Sequence, residues 1–245
     1  MKKYVVLAIL LISIFACPMN VFALGSNEVS EELFSSVEIV DEAALLTRAI
    51  AGIDERSAEA RAHSTITANI SESDNHRATP FSRAINEVIV YEEPIYTTQL
   101  VAKNRYSNST ICEEYVTTVI TRATIYDRTG SLSGYGITAY AKIYWTFDSD
   151  IYSAQIKFNK SAGRYTGSTA LAVLELYNEV MEEYGIGGDN GLIIPNPSPS
   201  SSWHEIQAGA TQWISLNRHC TFKAHTICRT LVGSEVKAEV NFSWH

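Results

Sequence analysis

The sequence is short of positive charge: 19 Lys and Arg stand against 27 Asp and Glu in 245 residues, a net charge of −8. Nucleic acid as a partner needs a surplus of Lys and Arg on the contact face, so that class is excluded. Catalytic signatures are absent too. The chain has no G-x-S-x-G elbow, no Walker loop, no dinucleotide fingerprint and no Cys-x-x-Cys pair. Long apolar runs are scarce. The longest, Tyr4 to Ala16, falls short of the about 20 apolar residues that a spanning helix needs, and no second run follows, so no transmembrane anchor is expected.

What that run does fit is a secretory signal. Lys2 and Lys3 precede it, Cys17-Pro18-Met19-Asn20 ends it, and Val21-Phe22-Ala23 offers a cleavage site after Ala23. Removing residues 1–23 would take the net charge from −8 to −10. The short Met-Lys-Lys start resembles bacterial signals, and the expected location is secreted, extracellular. A lipoprotein attached at Cys17 is the minor alternative, and bulky Phe15 counts against it. The sequons at Asn69, Asn108 and Asn241 are then incidental.

Cleavage would leave Cys112, Cys220 and Cys228. An oxidising compartment permits one disulfide and leaves one thiol over. If the chain turns near Ala224, Cys220 and Cys228 become cross-strand neighbours and can bridge. If it runs straight, they lie about 26 Å apart. The expected bridge is Cys220 to Cys228.

Composition changes near residue 86. Between Leu24 and Ile85 there is no Tyr and no Trp, whereas ten of the thirteen tyrosines fall between Asn86 and Thr166. In the first stretch Leu33, Val37, Val40 and Ala44 recur at helical spacing, and Ser64 to Pro80 has no period. It reads as a weakly helical or disordered N-terminal segment over 24–85, a possible propeptide or spacer, with a β-rich domain over 86–245.

That domain alternates with period two. Tyr115 to Arg128 is Thr-rich and β-branched. Along Tyr135 to Phe147, Ile137, Ala139, Ala141, Ile143 and Trp145 point one way, and Thr138, Tyr140, Lys142 and Tyr144 the other. Turns at Asp127-Arg128-Thr129-Gly130 and Asp148-Ser149-Asp150 make this an antiparallel meander continuing through Tyr152 to Phe158. The stripe Ala170, Val173, Leu174, Tyr177, Val180, Met181 and Tyr184 predicts an amphipathic helix over about 169–184, capped by Ser168 and stopped at Gly185. Gly185 to Ser202 reads as a long loop. Trp213 to Leu216, Thr221 to Val232 and Glu235 to Trp244 add strands, the last two joined by a turn at Gly233-Ser234. The fold expected is mainly β (α+β by count), an antiparallel two-layer β-sandwich-like domain with one helix.

Candidate chemistry is thin. His204-Glu205 begins like a zinc-protease helix, but Ala208 stands where the second ligand belongs. His219, Cys220, His225 and Cys228 could bind zinc, yet on a strand they would face opposite ways. The neighbouring acids Glu92-Glu93, Glu113-Glu114 and Glu182-Glu183 fail as catalytic pairs for the same reason. Asp148-x-Asp150 could hold calcium, although two acids there also make an ordinary turn. No metal or cofactor is expected.

The aromatics are the most suggestive feature. Tyr140 and Tyr144 share a strand face with Lys142, and Trp203 ends the Gly/Pro-rich loop. Such rings suit a glycan or a protein partner, or else they form a second buried face. The leading expectation is a secreted, non-catalytic domain binding an extracellular glycan or protein through Tyr140, Lys142, Tyr144 and Trp203. One alternative is a hydrolase with a site near the 185–204 loop, in which His204, Glu205 or an acid near that loop takes an acid-base role. Another is a pore-forming protein that deploys Tyr115 to Arg128 and Tyr135 to Phe147, against which Arg122 and Lys142 stand as mid-strand charges.

Overall fold

The computed structural model describes residues 29–69, 87–127, 134–149, 154–167, 171–182, 187–198, 202–215, 218–231 and 234–245. They form two packed antiparallel sheets with few helices, a β-sandwich-like architecture. The larger sheet has eight strands. Its path runs from β1 (Val29–Ser35) through β4 (Ile95–Tyr106), β5 (Ile111–Asp127), β6 (Tyr135–Asp148) and β7 (Gln155–Gly167) to β10 (His204–Gln207). β3 (Glu87–Tyr91) pairs with β5, and β11 (Ile214–Ser215) with β7. The second sheet has five strands, in the order β2 (Ser64–Asn69), β13 (Glu235–Trp244), β12 (Cys220–Thr230), β8 (Leu171–Glu182) and β9 (Gly188–Pro195).

The period-two pattern decides the core. On β6, Ile137, Ala139, Ala141, Ile143, Trp145 and Phe147 are buried against the second sheet, as their alternation predicts. Opposite them stand Phe222, Ala224 and Cys228 of β12 and Val236, Ala238, Val240, Phe242 and Trp244 of β13. Rings carry much of the contact. Phe158 stacks on Phe222 at 4.3 Å, and Trp145 meets Phe242 at 4.9 Å. Where β7 approaches the second sheet the gap closes to Gly163, whose absent Cβ would lie 2.1 Å from Thr226 Oγ1.

Three expectations for the stretch after residue 86 are corrected. First, residues 171–182 are a strand, not part of a helix over 169–184. The segment satisfies both periods, but β12 offers it a ladder from Cys220↔Glu182 to Thr230↔Leu171, and β9 pairs on its other side. Read with period two, Leu174, Leu176, Asn178 and Val180 face inward, which hides the Leu176 that a helix would leave off its stripe. Tertiary pairing overrides the helix propensity of Leu, Glu and Met. Ser168 and Gly185, the expected cap and stop, lie outside the described residues.

Second, Cys220 and Cys228 are not bridged. β12 runs straight through Ala224, pairing Cys220 with Trp244 and Cys228 with Val236, so the two lie about 26 Å apart. Cys112, Cys220 and Cys228 are buried thiols. Third, the supposed loop at 185–202 contains β9, an edge strand over Gly188–Pro195.

The N-terminal segment is built into both sheets. β1 pairs with β4 and β2 pairs with β13. Helical spacing from Leu33 to Ala44 overstates the helix, because Leu33 lies in β1. Helix α1 (Glu42–Ile50) starts only where Asp41 caps it, Oδ1 accepting from the amide of Ala44 at 2.9 Å. A shorter helix, α2 (Ala58–His63), leads directly into β2. Of the unpatterned run Ser64 to Pro80, the first six residues are β2 and the rest lie outside the described residues, as do residues 1–28 with the expected signal. Among the described residues no helix is long and apolar enough to cross a membrane.

Candidate functional site

β6 turns Tyr140, Lys142 and Tyr144 onto the outer face of the larger sheet, and Trp203 joins them from the approach to β10. The four residues singled out by sequence therefore lie together. The Lys142 ammonium sits 3.8 Å from the centre of the Trp203 ring, and Tyr140 meets the same ring edge-on at 5.9 Å. Register brings in two residues that sequence reasoning missed: Arg164 lies opposite Tyr140, and Lys160 opposite Tyr144. The Arg164 guanidinium stands over Tyr140 at 5.6 Å and Trp203 at 5.4 Å, and Lys160 caps Tyr144 at 4.4 Å.

This cradle is covered by the chain itself. Residues 36–53 cross the outer face as a strap, and their carboxylates take the cations. Lys142 Nζ donates to Glu38 Oε1 at 2.5 Å, and the Tyr144 hydroxyl donates to the same oxygen at 3.0 Å. Glu42 accepts from Arg164 Nη2, and from the Tyr140 hydroxyl at 3.4 Å. Leu45 and Ala49 of α1 pack on Ile120 and Tyr140, forming a small second core outside the sandwich. Lys142 has no exposed side-chain surface, whereas Glu38 keeps 27%. Burial pulls the Lys142 ammonium below its ordinary value, Glu38 working against this and Arg164 adding to it. Burial, then the Glu38 charge, push the Tyr144 phenol up.

Gln99 ties the strap by its backbone. Its Oε1 accepts from the amide of Ile39 at 2.9 Å, and its Nε2 donates to the carbonyl of Val37 at 2.9 Å. Among the described residues, two buried donors of the cradle have no acceptor, Arg164 Nε and Trp203 Nε1. A buried donor without a partner costs about 1–3 kcal/mol. The arrangement is one that binds carboxylates between aromatic rings, with donor capacity to spare.

Other candidates are dispersed. Glu205 pairs with Lys160 at 2.7 Å on the outer face, and strand alternation sends the adjacent His204 to the other side. His225 lies on the outer face of the second sheet, stacked on Tyr177 at 4.9 Å, while Cys220 and Cys228 face the core. Among the described residues no group of three His, Cys, Asp or Glu could hold a metal ion. Glu113 is buried and accepts from Lys103 at 2.8 Å and from the Tyr115 hydroxyl at 2.7 Å. Burial works to raise its carboxyl, but those two donors win and hold it low. Of the pair Asp148-x-Asp150, Asp150 lies outside the described residues. The two segments weighed for membrane insertion are β5 and β6, paired along their length in the middle of the larger sheet.

Comparison with protein-family models, with curated proteins and with solved structures finds no match.

Proposed function

We propose that this protein is an exported, non-catalytic binding domain that engages an extracellular glycan or protein at the outer face of its larger sheet. One observation carries the reading: Tyr140, Lys142, Tyr144 and Trp203 converge with Arg164 and Lys160 on one patch, and two donors of that patch lack an acceptor. Packing alone does not call for such a patch, since replacing buried ion pairs by well-packed apolar residues is often neutral or stabilising. Of the residues weighed for a hydrolase, Glu205 is paired with Lys160 and His204 faces the other way, so these two do not form an acid-base pair with each other. Pore formation by β5 and β6 would require dismantling the main core and the strap together.

The test is binding to glycan and peptide arrays by wild type and by a Tyr144→Ala, Trp203→Ala double variant whose fold is checked by circular dichroism. Loss of bound features in the variant supports this face as the site. Equal binding by both proteins removes it.

A further inference from the structure

Resting on that reading, we infer that residues 36–53 are a displaceable strap whose Glu38 and Glu42 fill two carboxylate seats, and that the ligand exchanging with it is an acidic, extended peptide segment of a partner protein.

The strap is anchored like a lid. At one end the amide of Ser36 donates to Val101 O at 2.9 Å. At the other, Ile53 O accepts from Thr98 N at 3.3 Å, and Glu55 N donates to Thr98 O at 3.1 Å. Both ends are therefore pinned within four residues of β4, and the intervening chain can lift without disturbing either sheet ladder. Closed-ended surface loops of this kind are frequently functional. Within it only Leu45 and Ala49 are fully buried, while Val37, Val40 and Ile50 are exposed. Opening it gives up the small core that Leu45 and Ala49, with Ile39 and Leu46 beside them, make on Ile120 and Tyr140, but none of the main core between the two sheets, so the strap can open locally at less cost than global unfolding.

Charge sets the ligand's sign. Closed, the face balances Lys142, Arg164 and Lys160 against Glu38, Glu42 and Glu205. Lifting the strap removes two of the three carboxylates and leaves a surplus of two positive charges between aromatic rings. An anion is needed there, and Arg164 with its idle Nε can take a carboxylate in the two-pronged manner that the strap does not use.

Gln99 sets its kind. A side-chain amide that pairs with both the N–H and the C=O of a crossing chain reads a peptide backbone, which a glycan lacks. The present occupant is itself a peptide whose two acids lie four residues apart. Because the strap is tethered, its effective concentration is high, and a free peptide must make better contacts to replace it. The unfilled Arg164 Nε and Trp203 Nε1 are where those contacts lie.

The probe is a labelled synthetic peptide with the sequence of residues 35–46, alongside the same peptide carrying Gln at both Glu positions, titrated against the full chain. Two strap variants are used. E38Q/E42Q removes both negative charges from the seats, and Leu45→Ala loosens the apolar anchor while keeping both acids, so that misfolding of one leaves the other. Amide hydrogen exchange over 36–53 reports opening. Both variants are expected to bind the Glu peptide about tenfold or more tightly than wild type, and the Gln peptide about tenfold or more weakly than the Glu peptide. Equal binding of the two peptides overturns the inference, as does a strap that stays as protected as the sheet core in Leu45→Ala. If the opened variants instead take a glycan and neither peptide, the binding-domain reading stands and the peptide ligand falls. If they bind nothing on either array, both fall.

Discussion

Glu38 and Lys142 lie 104 residues apart in the chain and share a 2.5 Å hydrogen bond, the lysine with no exposed side-chain surface and the glutamate with 27%. The asymmetry of their burial makes the two halves of the pair unequal. Glu38 can be solvated where it stands, whereas Lys142 cannot unless the strap moves.

Glu38→Gln is accordingly expected to raise amide exchange over residues 36–50 by about tenfold or more, because lifting the strap is the cheapest way to hydrate the orphaned ammonium. Lys142→Met should leave those rates within about threefold of wild type, since an apolar chain suits the buried position. Exchange followed by mass spectrometry checks both; the reverse ranking would mean that the lysine is hydrated in the closed state.

Acid should weaken the second sheet through Glu239. Next to it stand His225, with Nδ1 3.8 Å away, and Lys237, which donates at 2.6 Å, while Asn241 Nδ2 donates at 2.8 Å. His225 foremost, then Lys237 and Asn241, hold the carboxyl down to about 2 against a burial that works to raise it. At 3.8 Å the histidine contact is longer than a hydrogen bond. A depressed carboxyl stabilises fully above its unfolded value of about 4.5, and that stabilisation is lost as pH falls from there toward about 2. The loss is on the order of 3 kcal/mol. Urea midpoints from pH 6 to pH 2 should fall steeply for wild type and more gently for Glu239→Gln.

Reducing agent should not shift the Tm. The thiols of Cys220 and Cys228 sit at opposite ends of one straight strand, so there is no bridge between them to break. Burial pushes the Cys228 thiol up, and burial followed by Asp148, Glu114 and Glu113 pushes that of Cys112 to about 12. Thiolate is the reactive form. Labelling at pH 8 with mass-spectrometric mapping should therefore find both unmodified until the protein unfolds. A drop in Tm on reduction would show a disulfide after all.

Asn178 is a polar residue at a fully buried position, and its removal should be costly. Its Nδ2 donates to Ser161 Oγ at 2.8 Å and to Gln207 O at 2.9 Å, while its Oδ1 accepts from Gly209 N at 3.1 Å. It thereby joins β8 of one sheet to the β10 edge of the other. Asn178→Ala strands those partners and should cost about 1–3 kcal/mol for each group left buried and unpaired. Equilibrium denaturation measures it, and a change below about 0.5 kcal/mol would show that water replaces the amide.

Alternation along the chain determined much of this protein. The inward row of β6 from Ile137 to Phe147, the outward row Tyr140, Lys142 and Tyr144, and the hairpin of β12 and β13 all follow from a period of two, a local property of extended backbone. The same residues nominated half of the candidate site. Tertiary structure decided the rest, because it depended on partners far away in sequence. Leu171 to Glu182 suits a helix or a strand, and the open edge of β12 chose the strand. Cys220 and Cys228 could bridge or not, and the straight pairing of β12 with β13 kept them apart. Arg164 reached Tyr140 through strand register. Glu38 and Glu42 reached the cradle only because the chain crosses the sheet between two anchor points on β4, and the burial of one lysine beneath it depends on a contact that no local pattern encodes.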